Sequence, residues 1–86
     1  MDKTLKDLRR QSKAMSAQII IGKNGLTDQV VKNIKKELSI HRIVKIKILK
    51  SYIDQVSKED VFKEISSKAD ARIVHTLGFT ITLTKK

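Results

Sequence analysis

One stretch limits what this chain can become: Ile19-Ile20-Ile21-Gly22-Lys23-Asn24-Gly25-Leu26-Thr27. A continuous apolar run ends in a four-residue Gly-x-x-Gly segment, and a helix signal follows at once. Thr27 is a good N-cap and Asp28 is well placed in the first turn. Leu26 and Val31 occupy the N′ and N4 positions of a hydrophobic staple. Strand, tight loop and capped helix are thereby set in sequence. The glycines lack a Cβ and tolerate positive φ, so a ligand backbone can approach closely. The helix start offers unpaired N–H groups and the positive end of a dipole. With Lys23 as a mobile charge and Asn24 as a polar donor, the loop can hold a phosphate.

The neighbouring segments follow from periodicity. Residues 4–15 read as a helix with Leu5, Leu8, Ser12 and Met15 on one face and Lys6, Arg9, Arg10 and Lys13 around the rest. Residues 17–21 are the first strand, with an apolar run that predicts cover on much of both faces. The second helix spans 28–39. Val30, Val31, Ile34 and Leu38 form its buried stripe; Gln29, Lys32, Asn33 and Lys36 lie outward. Residues 43–49 alternate: Val44, Ile46 and Ile48 point one way, Lys45 and Lys47 the other, with Ile43 and Leu49 on the lysine side.

Ser51 to Val56 reads as a loop. Ser57 can cap a third helix whose buried side is Val61, Phe62, Ile65 and Ala69. Two strands, 71–77 and 79–84, flank Gly78. In the second, Phe79, Ile81 and Leu83 alternate with threonines. In the first, Ile73, His75 and Leu77 share one phase and Arg72, Val74 and Thr76 the other, and periodicity does not choose between them. The order α-β-α-β-α-β-β predicts an α/β, two-layer (α+β) domain over residues 1–86. Its first crossover is parallel and right-handed, its last hairpin antiparallel. A mixed four-stranded sheet with helices on one face results.

Charge gives the fold a direction. Nineteen Lys and Arg oppose nine Asp and Glu, a net +10, yet residues 51–70 hold three bases against five acids. A basic face with an acidic back fits a polyanion partner. Arg9-Arg10 is a suitable phosphate fork pair. Lys32 and Lys36 lie one helical turn apart, which is mildly unfavourable unless an anion meets them.

There is no cysteine and there are two histidines, so neither a metal site, a cofactor nor a thiol nucleophile is expected. The start is charged, with no apolar core of signal-peptide length. No segment has the length of a membrane span. A cytoplasmic, monomeric protein is the expectation. A Walker loop does not occur, and a dinucleotide fingerprint lacks its third glycine. A KH domain also clamps a nucleic-acid backbone with Gly-x-x-Gly, but between two helices.

Ile21-Gly22-Lys23-Asn24-Gly25-Leu26-Thr27, then Val30-Val31, Ile34, Leu38 and His41 to Ile48, resemble the CRM domain of the YhbY-like RNA-binding family. Leu77-Gly78 and Leu83-Thr84-Lys85 fall where that family has Ile-Gly and Leu-Tyr-Arg. The resemblance covers nearly the whole chain. It implies a fold like the C-terminal domain of bacterial translation initiation factor three. It also implies RNA binding: stand-alone members associate with ribosomal precursor particles, and plant versions assist group II intron splicing. Thr84 replaces the family's usual Tyr, and the family's common Pro before the first strand is absent.

The leading expectation is therefore a non-catalytic protein that binds structured RNA, ribosomal or its precursor, in ribosome assembly. Gly22 and Gly25 would admit the backbone, and Lys23 and Asn24 would contact phosphate or sugar. Arg9, Arg10, Lys13, Lys32 and Lys36 would extend the footprint, and the resemblance adds Lys45. Of three aromatics, Phe62 and Phe79 read as core, so readout by base stacking is not expected. One alternative is an Alba-like protein that coats DNA or RNA. That family usually has Lys-Lys-Pro after the first glycine, and this chain has no proline. A small enzyme on a phosphorylated metabolite is the other; it would have only His41 and His75 as imidazoles, with no carboxylate pair beside them.

Overall fold

A computed structural model describes residues 5–53 and 57–85; the side chains of Leu5, Leu8, Ser12 and Ile53 lie outside that description, and with them most of the expected apolar face of the first helix. The elements are α1 (Leu5–Ala14), β1 (Ile19–Ile21), α2 (Asp28–Ile40), β2 (Ile43–Ile48), α3 (Lys50–Ile53), α4 (Lys58–Ala69), β3 (Ala71–Leu77) and β4 (Thr80–Lys85). The sheet order is β1-β2-β4-β3. β1 and β2 are parallel, and the other two pairings are antiparallel. The expected mixed four-stranded sheet is present. The single turn of α3, inside the stretch expected to be a loop, is additional.

The alternation in β2 decides the layers. Val44, Ile46 and Ile48 are buried with Ile34 and Leu38 of α2, Val61, Phe62, Ile65 and Ala69 of α4, and Ile81 and Leu83 of β4. Every expected core position of the α4 stripe is thus in place. In α2, Ile34 and Leu38 are buried, while Val30 and Val31 are half-buried.

Helices on one face holds for α2 and α4, but α1 corrects it. Ile43, on the opposite side of β2, is buried together with Val74, and Met15 at the end of α1 packs on both. Polar ties reinforce the docking. Arg9 Nε donates to the Val74 carbonyl at 2.9 Å, and Lys45 Nζ donates to the Met15 carbonyl at 2.9 Å. The lysine face of β2 is therefore half covered rather than open. Thr82 and Thr84 are buried on this side. The Thr84 hydroxyl is satisfied by donating to the Arg42 carbonyl at 2.9 Å.

β3 resolves its own ambiguity by breaking step. Its register against β4 shifts between Ile73 and His75: Ile73 stands opposite Leu83, His75 opposite Thr82. One extra residue, Val74, puts Ile73 on the α4 side but His75 and Leu77 on the α1 side, as a bulge does. Ile73, His75 and Leu77 thus do not share a face, contrary to simple alternation.

The connections are short and specific. Asp70 alone links α4 to β3, at φ 52°, a left-handed conformation that Asp tolerates better than most residues. Ser66 Oγ donates to the Ala71 carbonyl at 2.6 Å across this corner. Gly78 (φ 58°) and Phe79 make the β3–β4 turn. A positive φ at the first central residue alone is the type II′ pattern. Phe79 is therefore a turn residue, 42% exposed, with the Lys58 ammonium 5.8 Å from its ring centroid; the expectation of a core position is corrected. Ile20, 61% exposed, likewise departs from a strand covered on both faces, because α1 crosses the sheet away from it.

Candidate functional site at the Gly-x-x-Gly loop

The loop stands at the carboxyl ends of the two parallel strands. Leu49 N–H donates to the Ile21 carbonyl at 2.8 Å, continuing the β1–β2 pairing to the loop's edge. The Gly25 N–H returns to the Gly22 carbonyl at 2.9 Å. Lys23 and Asn24 are the two central residues of this turn, and neither has positive φ. That excludes type II and the primed turns. Both side chains are exposed at the corners.

The two glycines do different work. Gly25 has φ 73°, and a Cβ there would lie 2.7 Å from Tyr52 Cε1. Gly22 has no positive φ, and its Cβ would meet only Leu49 Cδ1 at 3.5 Å. Of the two glycines, both tolerant of positive φ, only Gly25 uses it. The Tyr52 ring, carried by α3, forms the floor beneath Gly25. Nothing in the sequence pointed to Tyr52 beyond its being a lone aromatic in a stretch without periodicity.

Past the turn the chain reverses into α2. Thr27 N–H donates to the Gly25 carbonyl at 3.1 Å, and the Thr27 hydroxyl accepts from Val30 N–H at 3.2 Å. The expected cap is in place. The N–H groups of the first helical turn are those a helix leaves for outside partners. Gly22, Lys23, Asn24, Gly25, Thr27 and Val30 line an open concavity of about 460 Å³ beside them. Its wall is backbone, the short polar side chains of Asn24 and Thr27, and Val30, with one lysine. It suits an anionic group that accepts several N–H bonds, and it offers no carboxylate for acid–base chemistry.

The other candidate residues divide into two groups. Lys32 and Lys36 are exposed on α2, on the loop's side of the sheet. Arg9, Arg10, Lys13 and Lys45 belong to the α1 side, across the sheet. Of these, Arg9, Arg10 and Lys13 are exposed and Lys45 is half-buried; Arg9 and Lys45 each give one donor to holding α1 down. The structure therefore does not bring all the basic residues onto one surface.

α4 packs on the same sheet face as α2 and carries three acids (Glu59, Asp60, Glu64) beside three lysines (Lys58, Lys63, Lys68), so the expected acidic back is not a separate face. Glu64 pairs with Lys68 at 3.2 Å along the helix. Ser57 stands at the N-cap position of α4, but its hydroxyl donates to Glu59 Oε2 at 3.1 Å instead of accepting a backbone N–H. The Glu59 carboxylate is held below its ordinary pKa first by its own backbone N–H and then by Ser57. His41 lies 3.4 Å from Glu37 on the surface, as a connector residue. Among the described residues no His, Cys, Asp and Glu group could hold a metal, and no helix is long and apolar enough to cross a membrane.

Residues 1–85 match the family model of the CRS1 / YhbY (CRM) domain. The chain belongs to this family. Among relatives of this CRM domain, Probable RNA-binding protein YqeI of Bacillus subtilis is 27% identical over 79 residues, covering 92% of this chain and 80% of that protein. Probable RNA-binding protein MJ0652 of Methanocaldococcus jannaschii is 25% identical over 76 residues, covering 88% of this chain. The chain spans 56% of the length of that relative. The fold is similar to the solution structure of the hypothetical protein SAV1595 from Staphylococcus aureus. The TM-score is 0.78 at 21% identity, over 95% of this chain and 83% of the other.

Proposed function

We propose that this CRM domain is a non-catalytic RNA-binding module. It grips the sugar–phosphate backbone of structured RNA, ribosomal or its precursor, and serves in ribosome assembly. The observation that carries the reading is the loop itself. Gly25, seated on Tyr52 at positive φ, leaves Lys23 and Asn24 exposed beside the capped start of α2. The concavity there accepts an anion through backbone N–H groups, while Lys23 supplies the charge. Lys32 and Lys36 extend the contact along α2. Two relatives bear names as probable RNA-binding proteins, which supports RNA as the polyanion. Binding dominated by phosphates weakens steeply with salt.

The test compares the wild type with Lys23→Asp/Asn24→Asp on ribosomal RNA fragments and on length-matched duplex DNA near physiological salt. Circular dichroism checks that the variant is folded, since both glycines remain. The expected result is RNA preferred over DNA, with the variant weaker by tenfold or more and a shallower salt slope. A folded variant that binds RNA like the wild type would remove the loop from the function. Equal affinity for duplex DNA would favour the coating-protein alternative.

A further inference from the structure

The sheet face that carries α1 holds a second, much smaller concavity, of about 90 Å³. Lys13 from the last turn of α1, Lys45 from β2, Thr80 and Thr82 from β4, and His75 and Leu77 from β3 line it. The register explains the grouping. Thr82 on the central strand stands opposite Lys45 on one side and His75 on the other. His75 reaches this face only because the extra residue at Val74 changes the phase of β3.

The His75 Nε2 is buried and has no hydrogen-bond partner. A buried polar atom without a partner is rare enough to call for an explanation. Its surroundings define what could supply one. Lys13, Lys45, Thr80 and Thr82 line the cavity and, among the described residues, no carboxylate does, so the site is electropositive. Pockets for small molecules begin at about 300 Å³, so a whole metabolite or a base is too large. A single oxyanion group fits.

Position selects among oxyanions. The next row across the same face is Ile20, Lys47, Thr80 and Leu77, paired in that order, and Lys47 is exposed. This row starts at the cavity, where Leu77 and Thr80 line it, and runs on the side toward the loop. From Lys45 to Leu49, the residue bonded beside the loop, is about 13 Å of strand at ~3.3 Å per residue. A nucleic-acid strand spans that distance in a few nucleotides. We propose that the His75–Lys13–Lys45 cavity is a second phosphate seat, which takes a backbone phosphate of the RNA held at the loop. The proposal rests on the RNA-binding reading above.

Two measurements test it. Inorganic phosphate is titrated into the wild type at constant ionic strength, with amide and imidazole resonances followed by NMR. Saturable shifts at His75, Thr80 and Thr82, distinct from those at Gly22 to Gly25, are expected, and His75→Leu should abolish the first set alone. RNA affinity is then measured against salt for wild type, His75→Leu and Lys13→Gln. Each variant should bind about three- to tenfold more weakly, and Lys13→Gln should lower the slope by about 0.7–0.9, one phosphate contact. His75→Leu should melt no lower than wild type, since it removes a buried polar atom that lacks a partner. If it unfolds the domain, Lys13→Gln carries the same comparison from an exposed helix end.

Absence of a saturable shift at the cavity overturns the proposal. So does a shift accompanied by unchanged RNA affinity and slope, which would assign the cavity to free phosphate. Either result leaves the loop reading standing, because that reading fails only if Lys23→Asp/Asn24→Asp binds RNA like the wild type.

Discussion

Gly25→Ala probes the loop at its most constrained point. Two costs arise together. A left-handed φ of 73° costs a non-glycine residue about 1–2 kcal/mol. The new methyl would sit 2.7 Å from Tyr52 Cε1. Displacing a packed ring of this kind costs about 1–3 kcal/mol. The loss of unfolded-chain entropy returns about 0.4–1 kcal/mol. The net is near 3 kcal/mol, within about 1–5. A domain of 86 residues has about 4–13 kcal/mol in total, so this is a large share, equivalent to about 12–24 °C in Tm. Urea and thermal unfolding measure it. Gly22→Ala is the internal control: without positive φ and with Leu49 at 3.5 Å, it should stay within about 0.5 kcal/mol. In a Tyr52→Ala background Gly25→Ala should cost only its backbone term, a coupling of about 1–3 kcal/mol. The reasoning is refuted if Gly25→Ala costs no more than Gly22→Ala, or if removing the Tyr52 ring leaves its cost unchanged.

Three further outcomes are expected. Thr27→Ala removes the acceptor of the Val30 N–H and should cost about 1 kcal/mol, with faster amide exchange in the first turn of α2. Asp70→Val puts a β-branched residue at φ 52° and should cost at least about 1–2 kcal/mol by urea unfolding. The Glu59 carboxylate, bonded to its own N–H and to Ser57, has a folded pKa below its unfolded one; its small contribution is present above the ordinary glutamate pKa and lost as pH falls through the lowered value, so Glu59→Gln should flatten the acid side of the stability–pH curve.

What the sequence made legible was whatever repeats with a fixed period or sits at a chemical boundary. Val44, Ile46 and Ile48, the α4 stripe and the Thr27 cap are signals of that kind, and they locate the loop. Three features escaped for separate reasons. The extra residue at Val74 cannot be recognised from alternation, since one insertion only exchanges two equally plausible phases. Phe79 continues the phase of Ile81 and Leu83, yet the turn claims it. The side on which α1 docks depends on Met15 meeting Ile43 and Val74, contacts between segments far apart in the chain. Arg9 and Lys45 were countable as charges, but that each gives one donor to a carbonyl that holds α1 is visible only in the folded chain.

The floor under Gly25 has a consequence for synthesis. The turn's own hydrogen bond joins residues three apart, but its lateral bond comes from Leu49 and its support from Tyr52. A growing chain that has emerged only through α2 carries the whole Gly-x-x-Gly string without the means to hold it. At ~5–20 residues per second, the gap between making the string and being able to fix it is on the order of seconds. A nascent or truncated chain would thus lack the formed loop, which arrives only with the folded domain.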